Sequence, residues 1–225
     1  MKGGVDSSVS YIETVPMLRQ KHDAGESVYF RTDHHWTQRG AYYVYEEFAK
    51  VSGNSIAPLS SFKVIYDSCV GSFANFGKGT YAETMCRNNP DILEKFIMPT
   101  VTAGAAYNDM YMKEYLRPLQ AVYESTKGYT AFIGGDNPLS VFTTNVGNGK
   151  KIVILKESFG NAFATWAMNN YSEVYVIDVR KFNQNGRPFN LKAFYDFVRY
   201  DDLVIINYPV SVTSSGMRGN LSDFM

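Results

Sequence analysis

The spacing of apolar positions divides the chain into a legible last third and a more irregular middle. The run KKIVILK (150–156) is apolar over strand length, FGNAFATWAMNNY (159–171) repeats its apolar residues at helical spacing, and EVYVIDV (173–179) is again a strand pattern. NLKAFYDFVRYD (190–201) and DLVIINY (202–208) continue the series with a helix and a strand. Such a β-α-β-α-β succession with short links predicts parallel strands joined by right-handed helical crossovers. The expected fold is a three-layer α/β/α sandwich with a mostly parallel central sheet. Near the N-terminus, residues 9–21 predict a helix broken at Pro16, and SVYF (27–30) predicts a short strand. TQRGAYYVYEEFAKV (37–51) predicts a helix capped by Thr37 and stopped by Gly53. The middle, about 57–135, carries strand patterns at FKVIYD and QAVYES and a helix pattern at NPDILEKFI, and is read as an elaboration within one domain spanning 1–225. No internal repeat or low-complexity segment interrupts the chain.

Composition narrows the function classes. With 225 residues and 45% apolar content the chain can bury a sizeable core. Its 22 basic residues equal its 22 acidic ones, so no net positive field draws it to nucleic acid or to an anionic membrane. No stretch approaches the length of a membrane span, and direct membrane insertion is not expected. The opening MKGGVDSSVSYIETV has no apolar core of a signal peptide and reads as a shortened beginning. The 17 Tyr and 15 Phe suit core packing first and carbohydrate-facing platforms second. Cys69 and Cys86 lack the spacing of a metal site.

Candidate chemistry sits at two places. In RTDHHWT (31–37), an extended backbone would put Asp33 and His35 on one face and His34 on the other, so that the carboxylate can orient the His35 imidazole. Metal binding is a poorer fit, because adjacent histidines on opposite faces and one aspartate do not converge. A structural reading also stands: Asp33 caps the next helix and His34 is buried against backbone. In ILKESFGNAF, Ser158 falls where a buried strand stops and a helix starts, a place that suits either a nucleophile or a simple N-cap. First-turn amides at Ser158, Phe159 and Gly160 are candidate oxyanion donors, with Asn137 or Asn161 as side-chain donors. Arg180 either steers a carboxylated glycan or pairs with Asp178, and Trp36 either stacks on sugar or packs against the following helix.

YFRTDHHWTQRGAYYVY together with KKIVILKESFGNAFATWAMNNYSEVYVIDVRKF resembles the DHHW family of bacterial proteins, itself similar to the alginate O-acetyltransferase-like branch of the SGNH hydrolase superfamily. The likeness rests on Asp33, His35, Trp36, Thr37 and Gly40, then on Lys156, Ser158, Asn161, Asp178 and Arg180, and more loosely on GSFANFGK and FIGGDNP in the middle. It implies an SGNH-like fold with Asp33, His35 and Ser158 as a catalytic triad for acetyl transfer or ester hydrolysis. It implies no metal and no cofactor, a polysaccharide or other acetylated glycan as partner, a membrane protein that supplies acetyl groups as a further partner, and a place in the cell envelope or outside the cell. An exported protein would also allow one disulfide between Cys69 and Cys86. One departure stands out: Glu157 occupies a position where such families usually have aspartate, and it either shapes the nucleophile turn or faces solvent. The competing class is a non-catalytic glycan-binding or surface module that keeps the same fold.

Overall fold

The three apolar runs of the last third pair as their pattern predicts. In a computed structural model, which describes residues 9–184 and 189–208, the elements in chain order begin with α1 (Thr14–Asp23), α2 (Gln38–Val51), β1 (Val64–Cys69), α3 (Ser72–Phe76) and α4 (Tyr81–Asn88). They continue with β2 (Asp91–Phe96), β3 (Val101–Tyr107), β4 (Tyr115–Pro118), β5 (Leu139–Thr144), β6 (Lys151–Lys156) and α5 (Gly160–Ala167). The last are β7 (Glu173–Asp178), α6 (Val179–Gln184), α7 (Leu191–Val198) and β8 (Asp202–Ile206). β6 runs parallel to both β7 and β8, with Val153 opposite Tyr175 on one side and Leu203 on the other.

The sheet is mixed and not mostly parallel. Its order is β4-β3-β5-β7-β6-β8, and β4, β3, β5 and β7 pair antiparallel in succession. The reason lies in the connections. A parallel neighbour needs a crossover, but no α-helix lies between β3 and β5, so the strands of that half can only reverse direction. Residues that alternate along β6 and β7 serve two cores. Ile152, Ile154, Val174 and Val176 are buried in the core that contains α2 and α5, while Val153, Leu155, Tyr175 and Ile177 pack with Phe182, Phe189 and Phe194 on the opposite face.

Several middle elements differ from the pattern reading. NPDILEKFI is a strand: β2 pairs antiparallel with β1 from Cys69 opposite Asp91 to Val64 opposite Phe96. Leu, Glu and Lys favour helix, but Leu93 is buried while Ile92 is exposed, and the cross-strand partner overrides local propensity. SVYF and QAVYES contribute only single bridges, Tyr29 with Trp36 and Val122 with Phe132. Pro16 does not break a helix; it sits in the first turn of α1, where its missing N–H has no helical partner to lose. The helix at α2 starts as expected, with Thr37 Oγ1 accepting from the Gly40 amide at 3.0 Å. The candidate disulfide is not formed: Cys69, buried at the end of β1, and Cys86, on α4, are both free thiols. Burial first, then the Asp33 and Asp91 charges, push the Cys69 thiol up to about 11. Among the described residues no helix is long and apolar enough to cross a membrane.

α2 and α5 lie together under the sheet and carry the segment that follows the DHHW residues. Tyr45 and Phe48 meet Phe163 edge-on, and Tyr42 meets Trp166. Gln38, fully buried, donates to Thr165 Oγ1 at 2.9 Å and accepts from the Phe96 amide at 2.7 Å, tying α2 to α5 and β2. The close approach of α2 to the SVYF segment depends on Gly40, where an added Cβ would stand 2.2 Å from the Val28 carbonyl oxygen. Gly40→Ala is therefore expected to lower stability by about 1–3 kcal/mol, the usual cost of forced overpacking, as read by chemical denaturation.

Candidate active site

Residues 28–37 form a narrow loop whose base is closed by two backbone bonds, from Phe30 N–H to His35 carbonyl at 3.2 Å and from Thr37 N–H to Val28 carbonyl at 3.0 Å. A carboxylate from β2 shapes its tip. Asp91 accepts from the Arg31 amide at 3.0 Å, the Thr32 amide at 2.8 Å and the Thr32 hydroxyl at 2.5 Å. The turn into α3 then closes on the loop from the other side. The Gly71 amide donates to Thr32 Oγ1 at 2.9 Å and the Ser72 amide to Asp33 Oδ2 at 2.7 Å. Only glycine fits at 71, since a Cβ there would come within 2.4 Å of the Asp33 side chain and 2.5 Å of the Thr32 carbonyl oxygen.

This scaffold aims a continuous line of contacts at the end of β6. Asp33 Oδ1 accepts from the His35 amide at 3.0 Å and lies 2.5 Å from His35 Nδ1, and His35 Nε2 lies 2.7 Å from Ser158 Oγ. Burial pushes the Asp33 carboxyl toward its neutral form, but hydrogen bonds from the His35 ring, the Ser72 amide and the His35 amide, with the His35 charge, hold it well below the usual carboxylate range. An ionised Asp33 keeps a proton on Nδ1 and leaves Nε2 with a lone pair toward the serine. The imidazole is also fixed from its face, stacked on Tyr129 at 3.7 Å between centroids and 4° between planes. Tyr129 Oη and Trp36 Nε1 both donate to the Phe159 carbonyl, at 3.0 and 2.9 Å. Ser158 does not cap α5, since the N-cap position falls at Phe159 with no side-chain bond. The three side chains meet at an open cleft of about 420 Å³.

A family model described as DHHW protein matches residues 6–177. The chain belongs to the DHHW family. Among solved structures, a DHHW family protein from Eubacterium siraeum superposes with a TM-score of 0.78 at 23% identity, over 95% of this chain and 69% of that one. Bacillus cereus PatB1 superposes at 0.69 and 17% identity over 95% and 73%, and PatB1 with a sulfonyl adduct at 0.70 and 16% over 95% and 71%. At these identities the likeness is one of fold. No curated protein matches the chain.

The other residues singled out in this DHHW protein separate into those at the cleft and those beneath it. His34 does not point away. Residues 31–35 bend instead of extending, so alternation fails there, and His34 lines the same cleft with its ring 3.8 Å from that of His35. The ligand atoms of Asp33, His34 and His35 converge within 4.8 Å of one another, against the expectation of opposite faces; Asp33 and His35 are hydrogen-bonded to each other and to Ser72 and Ser158. Trp36 is buried against Phe159 and faces no sugar. Asn137 is not at the cleft: it accepts from Arg117 and donates to Ser140. Arg180 pairs with Asp178 at 2.6 Å and Asp136 at 2.8 Å and does not line the cleft. One N–H of Asn161 goes to Asp136 Oδ1 at 3.0 Å. The Gly160 and Asn161 amides are taken by the carbonyls of Glu157 and Ser158, at 3.0 and 3.1 Å, and the Phe159 amide by the Glu157 carboxylate, which leaves the Ser158 amide as the backbone donor at this turn.

Sequence reasoning missed Asp91, Tyr129 and Asp136. The last two fall in or just before FIGGDNP, a block in which the sequence points to Asn137 alone as a candidate donor. Asp136 and Arg180, both half-buried, form a quartet with the buried Lys156 and Asp178, and the four charges cancel. Burial works against its ionised form, but Lys156, Asn161 and Arg180 outweigh this and keep Asp136 ionised well below the usual range.

Glu157 does not face solvent. Its Oε2 lies 3.2 Å from Ser158 Oγ, and its Oε1 accepts from the Tyr208 amide at 3.0 Å. Burial raises its pKa, opposed by the Phe159 and Tyr208 amides, the Arg180 charge and the Ser158 hydroxyl. An acid whose folded pKa is raised gives up stability as pH climbs from its ordinary value of 4.5 through the folded one. The melting-temperature difference between Glu157→Gln and the parent should therefore move in the variant's favour as pH rises across that window. A difference that is flat with pH would rule this out.

Proposed function

We propose that this protein is a serine-dependent acyl-transfer enzyme of the SGNH-like type, acting on O-acetyl groups of a cell-surface or extracellular polysaccharide. The observation that carries the reading is the unbroken line from Asp33 through His35 to Ser158, with contacts of 2.5 and 2.7 Å at the floor of an open cleft. Ser158 Oγ attacks the carbonyl carbon of an acetyl ester while its proton passes to His35 Nε2, and Asp33 stabilises the imidazolium. The oxyanion faces the Ser158 amide, at a strand-to-helix turn where backbone dipoles favour negative charge. Collapse returns the proton from Nε2 to the leaving alcohol and leaves acetyl on Ser158. A sugar hydroxyl or water then attacks, gives its proton to His35, and releases Ser158. These steps use side chains and backbone amides alone.

The DHHW resemblance implies an envelope or extracellular setting, with a membrane protein as one source of acetyl groups. The competing reading, a glycan-binding module with the motif as polar packing, is disfavoured by a feature that binding does not need: a serine hydroxyl held on the lone pair of an imidazole whose other nitrogen faces an ionised carboxylate.

Incubation with p-nitrophenyl acetate, followed by intact-mass analysis, should reveal one acetyl group on Ser158. A sulfonyl fluoride, chosen because PatB1 has been solved with a sulfonyl adduct, should block the same residue. Ser158→Ala and His35→Ala should each lower turnover by about 10⁴-fold or more, with the double variant little worse, because the members act as a unit. Asp33→Asn should cost on the order of 10³–10⁴-fold through loss of the correct tautomer. Full turnover in Ser158→Ala would overturn the reading.

A further inference from the structure

The His34 ring occupies the cleft beside His35 without any part in the line from Asp33 to Ser158. Its Nδ1 lies 2.8 Å from Ser72 Oγ and 3.6 Å from Asp33 Oδ1. In the tautomer that the nearby Asp33 charge favours, Nδ1 donates to Ser72 Oγ and Nε2 is the lone-pair edge. Among the described residues Nε2 has no hydrogen-bond partner, and the side chain is 37% exposed where it lines the cleft. The Phe76 ring, 74% exposed, stands 6.0 Å from it between centroids. A free acceptor nitrogen next to a bare aromatic ring suits a sugar, which offers a hydroxyl edge and an apolar C–H face.

We propose that His34, held by Ser72 and flanked by Phe76, is the acceptor subsite that selects a sugar ring over water. This rests on the acyl-transfer reading above. The attacking hydroxyl gives its proton to His35 Nε2 while its neighbour on the same ring donates to His34 Nε2. The acceptor oxygen forms its bond to the acetyl carbon, the Ser158 Oγ–carbon bond breaks, and the proton moves from His35 to Ser158 Oγ. Water brings no second hydroxyl on a fixed frame and gains nothing from His34. Burial, and then the neighbouring His35, lower the His34 pKa against the pull of Asp33, which favours the neutral ring this role needs. His34 is a positioning residue for the acceptor and holds no reacting atom.

The test is the partition of one acyl-enzyme between two fates. With p-nitrophenyl acetate as donor and soluble glucose oligomers as acceptor, acetylated oligomer and free acetate are measured over a Ser158→Ala blank. Both products arise from the same intermediate, so their ratio does not depend on how fast it forms, and a merely structural defect slows both together. His34→Phe should lower the transfer-to-hydrolysis ratio about tenfold, the size of one modest hydrogen bond, and His34→Gln should recover part of it. Ser72→Ala, which frees the ring, should lower the ratio less and decides the matter if His34→Phe does not fold. An unchanged ratio in a folded variant, or no oligomer acetylation by the parent while acetate is still released, overturns the subsite. Absence of any release above the blank overturns the acyl-transfer reading instead.

Discussion

Two stretches more than a hundred residues apart are fastened at one backbone oxygen. The Phe159 carbonyl accepts from the Trp36 indole and the Tyr129 hydroxyl, and these two side chains bracket the loop that carries His35. The carbonyl belongs to the N-cap residue of α5, so the point at which the two stretches are fastened is set by the start of that helix. His35 is then fixed by contacts in three directions: Asp33 on one nitrogen, Ser158 on the other and Tyr129 against its face. A ring so constrained needs little reorganisation to act on its neighbour, which is the condition under which preorganised groups are most effective.

The cost of such a site is backbone and charge placed where little water reaches, and the surroundings offset it with partners of defined shape. Asp91 gathers the amides of Arg31 and Thr32, Gly71 lets the α3 turn touch the loop, and the quartet around Lys156 and Asp178 closes its charges on itself. Buried ion pairs of this kind contribute little net stability, but removing one member would strand the others, so they enforce the geometry of the turn after β6.

The sequence made some of this legible and hid the rest for identifiable reasons. β6, β7 and β8 were readable because strands buried on both faces leave continuous apolar runs, and α2 because Thr37 announces its start. Asp33, His35 and Ser158 were readable as a set through their resemblance to the DHHW family, the spacing alone having left a helix cap and a polar cluster equally open. β2 was hidden because its residues favour helix and only the partner strand β1 makes it extended. Asp91, at its first residue, was hidden with it. The antiparallel half of the sheet followed from missing crossovers, which periodicity does not record. His34 was misplaced because alternation holds only for extended backbone, and the loop bends there.

The closed quartet also governs how the cleft is found. Arg180 and Lys156 are both committed to Asp136 and Asp178, and the chain as a whole carries no net formal charge. The molecule therefore projects little long-range field toward a charged polymer, and capture of a partner falls to contacts made at touching distance. With the charges balanced overall, net attraction does not set an encounter, and more of it falls to local fit.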